Sequence, residues 1–213
     1  MKKVKTLWLF LMSSFFILFL LFLSDFYLNT KELIHNFYSE QLSEENIIEI
    51  AIIQDKWAWL NYAIIPLIIL IRITLVSLCL SIGVFFYDMD RKIPFNQFLR
   101  IALIGEFVLI FVSLVKLLYF LFIKTDYTLQ DLQQYYPLSY INFLDIEKLQ
   151  PWLVYPLQTI NLFELAYFLV LVYGLYKLLK NKFWKSFEIT AVSYGTGLVI
   201  WIGLVMFLTL NIS

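Results

Sequence analysis

The sequence contains one cysteine, Cys79, and one histidine, His35, in 213 residues. A lone cysteine excludes an intrachain disulfide, and the Cys and His spacings of zinc sites cannot be assembled from one residue of each type. HExxH, GxSxG and GxxxxGK[ST] do not occur, so the common signatures of metalloprotease, serine hydrolase and phosphate-loop chemistry are missing. No enzyme, cofactor or metal is expected. Charge is scarce too: Lys and Arg number 16 and Asp and Glu 16, for a net charge of zero. A nucleic-acid partner would want a basic surface, and this balance provides none.

What is present is apolar. The chain is 62% hydrophobic and 15% charged, where a soluble domain has about 45–50% and about 25%. A single core of this size cannot hide the excess, because a folded domain still exposes a quarter or more of its chain surface. Lipid is therefore the expected solvent, with the bilayer itself as the first partner. About 20 apolar residues cross a hydrocarbon core of about 30 Å. Five runs qualify, at about 7–23, 60–86, 98–123, 162–180 and 187–210. They predict an all-α fold: one membrane domain over residues 1–213, built as a bundle of five transmembrane helices. The outer loops fall at 24–59 and 124–161. The first run, "LWLFLMSSFFILFLLFL", follows "MKKVK". It outruns the apolar core of a signal peptide, and "FLS" before Asp25 lacks a small-x-small cleavage pattern. It reads as a retained anchor.

Loop charges give the direction of threading. Lys2, Lys3, Lys5, Arg91, Lys92, Arg100, Lys177, Lys180, Lys182 and Lys185 flank one side, where only Asp88 and Asp90 oppose them. Lys31, Lys56, Lys124 and Lys148 flank the other, among eleven carboxylates that include Glu40. The positive-inside rule then places the amino terminus in the cytoplasm and the carboxyl terminus outside. Within the first outer loop, Leu33, Ile34, Phe37, Tyr38 and Leu42 recur at helical spacing after Thr30, a possible N-cap. Ser43 is placed to cap a second short helix, "EENIIEIAIIQDKW". His35 lies in the first of these amphipathic helices and reads as a surface residue. The second outer loop carries Tyr135, Tyr136, Tyr140, Trp152 and Tyr155, rings suited to the headgroup boundary or to a ligand-binding cap. "NIS" at Asn211 is a formal glycosylation acceptor, but it abuts the bilayer and reads as idle.

Pro66 interrupts the second run and predicts a kink. Ala191 with Gly195, and Ser193 with Gly197, repeat at four-residue spacing in the fifth, as Ser77 and Ser81 do in the second. Small residues so placed let helices approach closely in lipid. Four charges fall inside the runs: Arg72, Glu106, Lys116 and Glu164. A central Arg costs about 2.5–3.5 kcal/mol on insertion scales, so these four form the candidate intramembrane polar site. Counting at 1.5 Å per residue sets Lys116 within a lysine stem of Glu164 and separates Arg72 from Glu106 by about 10 Å in depth. Side chains lean toward the start of their own helix, which sends Arg72 outward and Glu106 inward. A direct Arg72–Glu106 bridge is therefore not expected, and Arg72 is left to water, backbone carbonyls near Pro66 or loop carboxylates. Two readings stay open: structural satisfaction, or a ligand or proton path.

The second half carries a family likeness. "KIPFNQFLRIALIGEFVLIFVSLVKLLYFLF", followed by "INLFELAYFLVLVYGLYKLLKNKFWKSFEITAVSYGTGLVIWIGLVMFL", resembles the Yip-type five-span membrane proteins, especially their bacterial members. The matching features are a Phe-containing start to the third span, the Asn-Leu-Phe-Glu start of the fourth and the hairpin "YGLYKLLKNKFWKSFEIT" into the fifth. The resemblance implies a five-helix bundle with its amino end cytosolic. Eukaryotic relatives bind Rab GTPases and shape secretory membranes, but here only residues 1–6 precede the first run and "DLYGP" does not occur. The resemblance therefore implies no GTPase partner. The Lys, Ile, Phe, Asn and Tyr bias hints at an AT-rich bacterial genome, hence an inner (plasma) membrane. The expected function is a non-enzymatic multi-pass scaffold that binds other membrane proteins. The alternative is a permease, or a permease subunit, that moves a small solute past Arg72, Glu106 and Lys116. The sequence names no small-molecule ligand.

Overall fold

The computed structural model describes residues 6–39, 43–87 and 92–212. The loop charges Lys2, Lys3, Lys5, Arg91, Glu40, Asp88 and Asp90, and the position of Leu42, lie outside these described residues. Helices α1 (Thr6–Tyr27), α2 (Thr30–Ser39), α3 (Glu44–Tyr87) and α4 (Phe95–Phe122) come first. Then follow α5 (Leu129–Gln134), two 3-10 turns, α6 (Pro151–Thr159) and α7 (Leu162–Leu179). The chain ends on α8 (Phe183–Thr190), a π-helical segment (Ala191–Gly195) and α9 (Thr196–Ile212). Among the described residues there is no strand, only an isolated bridge between Ser139 and Asn161. The fold is all-helical.

Five helices are long and apolar enough to cross a membrane: Thr6–Tyr27, Lys56–Tyr87, Phe95–Phe122, Leu162–Leu179 and Phe183–Asn211. Their side-chain distribution suits a multi-pass membrane protein. In α1 the buried residues are Ser13, Ser14 and Leu20, while Phe15 is 65% and Phe22 56% exposed. Small polar groups face the neighbours and large apolar groups face out, the reverse of a helix dissolved in water.

Helix α4 is central and touches α1, α3 and α7. Two glycines set its distance from α7. A Cβ on Gly105 would lie 2.6 Å from the Tyr167 ring, and one on Gly174 would lie 2.5 Å from Ile101. Around this contact Ile69, Ile73 and Leu80 of α3, Phe98 and Leu103 of α4, and Leu171 and Leu175 of α7 make one core. The small-residue spacing in the fifth run works at one of its two pairs. Ser193 meets Gly83 and Gly197 meets Cys79, both on α3, whereas nothing lies within 4 Å of a Cβ on Gly195.

Two outer segments differ from expectation. The stretch "EENIIEIAIIQDKW" is no separate helix; it is the first part of α3, a continuous helix of 44 residues. Its apolar positions run into those of the second span without a turn residue, and Pro66 is accommodated inside the helix. In the second outer loop, residues 151–159 form α6, which packs along α9. Pro151 opens that helix at its first turn, where a missing N–H costs nothing. Tyr155 in α6 accepts a hydrogen bond from Trp201 Nε1 in α9 at 2.8 Å. Nearer α4, Thr128 and Asp131 form a capping box at α5, and Tyr135 stacks on Tyr119 at 4.1 Å.

Candidate functional site

Helices α6 and α7 together run alongside α8 and α9, but they are not one helix. They part at Ile160 and Asn161. Asn161 is extended and caps α7, its Oδ1 accepting from the Glu164 amide at 2.7 Å. The carbonyls left free at the end of α6 need donors. The outer loop supplies them: the Ser139 hydroxyl lies 3.1 Å from the Leu157 carbonyl, 3.2 Å from Gln158 and 3.3 Å from Ile160. The Tyr140 amide donates to Ile160 at 3.0 Å, and the Leu162 amide donates back to Leu138 at 3.2 Å. Leu138 holds a positive φ of 54° to make this crossing, a conformation unfavourable for a side chain with a Cβ. The opposite helix is irregular at the same level. Its π segment carries Tyr194, whose hydroxyl donates to Glu164 Oε1.

Three of the four charges predicted from sequence meet here. Arg72 Nε donates to Glu106 Oε1 at 2.9 Å, and Arg72 Nη2 pairs with Glu106 Oε2. This two-pronged bridge corrects the expectation against a direct contact. Depth counted along each helix needs a shared zero, and α3 is too long for its ends to provide one. The guanidinium then spans what offset remains. Glu106 is fully buried, with 0% exposure, while the Arg72 side chain keeps 39%. Glu164 comes from the first turn of α7 and pairs with Tyr194. Lys116 does not join. It lies ten residues beyond Glu106 on α4, about 15 Å along the helix, and among the described residues it has no hydrogen-bond or ion-pair partner. Its expected reach to Glu164 is not made: Glu164 lies with Arg72 and Glu106, a helical stretch away from Lys116.

Sequence reasoning missed the tyrosines. Tyr167 is buried between Gly105 and Tyr194, with ring centroids of the two tyrosines 5.6 Å apart. Its hydroxyl is buried and has no hydrogen-bond partner among the described residues. Above the cluster, burial pushes the Tyr136 phenol in the outer loop up from its ordinary value; the Glu164 carboxylate adds to the rise and Arg72 opposes it. The only sequence signal for any of this was Asn161, an N-cap residue three before a Glu.

Beside Glu164 a groove of about 660 Å³ opens between α7 and α9. Leu165, Phe168 and Leu198 line it, Ser139 and Asn161 border it, and Glu164 is its one charged residue. Among the described residues no three of His, Cys, Asp and Glu cluster as metal ligands. The arrangement can pair charges, hold a proton or receive a ligand. Comparison with protein-family models, with curated proteins and with solved structures gave no match.

Proposed function

We propose that this protein is a non-enzymatic five-span scaffold of a bacterial plasma membrane, resembling the Yip-type proteins, with its amino end cytoplasmic. One observation carries the reading. Arg72 and Glu106 close on one another and Tyr194 holds Glu164, while the groove beside them is lined mainly by apolar surface. A solute path needs polar groups strung from one face to the other, and here Lys116 stands apart from the rest. An apolar groove between α7 and α9 suits the capture of membrane components. Affinity capture of the tagged protein in mild detergent tests this: a scaffold brings down a constant set of membrane proteins, and a consistently partner-free monomer contradicts it.

A permease is the second reading, favoured by the break between α6 and α7. Interrupted helices at the level of a polar cluster are how many transporters expose backbone groups to substrate. Under that reading Arg72→Gln abolishes a transport phenotype and leaves folding intact. A variant that loses only thermal stability removes it.

A further inference from the structure

The groove between α7 and α9 is apolar apart from Glu164, and the charges around that carboxylate do not balance. Arg72 is the one cation in the cluster, and both of its bonding nitrogens are committed to the two oxygens of Glu106. That pair is neutral. Glu164 is left with the Tyr194 phenol on Oε1, and among the described residues Oε2 accepts no hydrogen bond. The groups facing Glu164 from every packed element are Arg72 on α3, Glu106 on α4, Tyr136 in the outer loop and Tyr194 in the π segment, with Tyr167 one turn along its own helix. With Glu164 ionised, the cluster carries one formal negative charge in apolar surroundings. The dipole at the first turn of α7 favours a carboxylate there without neutralising it.

We propose that this groove binds a cationic amphiphile of the membrane: a primary ammonium seats against Glu164 and Tyr194, and its alkyl chain lies along Leu165, Phe168 and Leu198. This rests on the scaffold reading only in drawing the occupant from the bilayer. Charge complementarity selects the headgroup. Hydrogen bonds between ions are roughly twice as strong as neutral ones, and Glu164 is the only charged residue of the lining. The apolar walls select the tail, because a small hydrated cation gains nothing from them. At about 660 Å³ the groove falls within the roughly 300–1,000 Å³ usual for sites of small organic ligands. Gly195 lines it and has open space before it, with nothing within 4 Å of where its Cβ would stand, so a large side chain there has room to extend into the groove.

Thermal unfolding of the full chain in dodecyl maltoside, with dodecylammonium, dodecanol, dodecanoate and methylammonium as probes, tests the site. Dodecylammonium raises Tm by several degrees at concentrations well above its Kd. It binds at least tenfold tighter than dodecanol, and dodecanoate and methylammonium do nothing. Glu164→Gln weakens dodecylammonium at least tenfold. Gly195→Leu fills the groove and removes binding while Glu164 stays in place, so it decides between site and no site if Glu164→Gln does not fold. Equal binding of the amine and the alcohol overturns the charge argument and leaves a proton on Glu164. Equal binding of methylammonium, or undiminished binding in Gly195→Leu, overturns the groove. A protein that captures no partners yet binds dodecylammonium through Glu164 loses the scaffold reading and keeps the site; the opposite pair of results does the reverse.

Discussion

Replacing Glu106 with Gln leaves the Arg72 guanidinium facing an amide in the middle of the bundle. Arginine stays protonated, so the charge cannot be discarded. Removing one partner of a buried pair costs about 3–5 kcal/mol. The lower end of that range places the loss at about 3 kcal/mol. At about 2–4 °C per kcal/mol for a chain of this size, Tm should fall by roughly 6–12 °C. Arg72→Leu alone strands the fully buried Glu106, which can shed its charge by taking a proton, and should cost less than Glu106→Gln while still lowering Tm. The double variant Arg72→Leu/Glu106→Leu removes both charges, and replacing a buried pair by apolar residues is neutral or stabilising in many proteins. The double variant should therefore lie closer to the parent than either single change does. Unfolding followed by circular dichroism in detergent gives all four values of the cycle. Single losses that simply add in the double variant would refute a direct bridge. So would a Glu106→Gln protein that melts within about 2 °C of the parent, since that shift is under 1 kcal/mol.

Three further outcomes follow from particular contacts. Gly105→Ala drives a Cβ into the Tyr167 ring at 2.6 Å and should cost about 1–3 kcal/mol by overpacking, whereas Gly203→Ala meets open space and should leave Tm unchanged. In the outer loop the Lys124 ammonium, 2.5 Å from Asp131, and the Thr128 amide hold the Asp131 carboxyl below its ordinary value. A lowered carboxylate contributes stability above its unfolded value and loses it as pH falls through the folded one. Protection of the α5 amides against hydrogen exchange should therefore decline on acidification below about pH 4, by less than about 1 kcal/mol because the pair is partly exposed. Thr128→Ala should weaken the same amides by about 0.5–2 kcal/mol at neutral pH.

The long apolar runs were legible because each is as long as a membrane is thick and nothing polar competes with that pattern. The hairpin from α7 to α8 was equally plain, with its basic turn at Lys180 and Lys182. The break between α6 and α7 was hidden for a physical reason. Residues 151–159, "PWLVYPLQT", are too short and too polar to register as a span, and their packing on α9 leaves no local pattern in the sequence. The partners of the carbonyls freed at the break lie some twenty residues upstream, around Ser139, where no local pattern could point to them. The Arg72–Glu106 bridge depended on the relative sliding of two helices, and periodicity along one helix carries no information about its register against another. Tyr194 was concealed within a small-residue motif; the π segment, which local spacing does not encode, presents it to Glu164.

Beneath all of this lies the proposed threading: five crossings with the two ends on opposite faces. A phosphatase or fluorescent reporter fused after Ser213, compared with one fused ahead of Met1, measures it directly in cells. The account requires the carboxyl-terminal reporter to be active outside the cytoplasm and the amino-terminal one inside. Two reporters on the cytoplasmic face would contradict it.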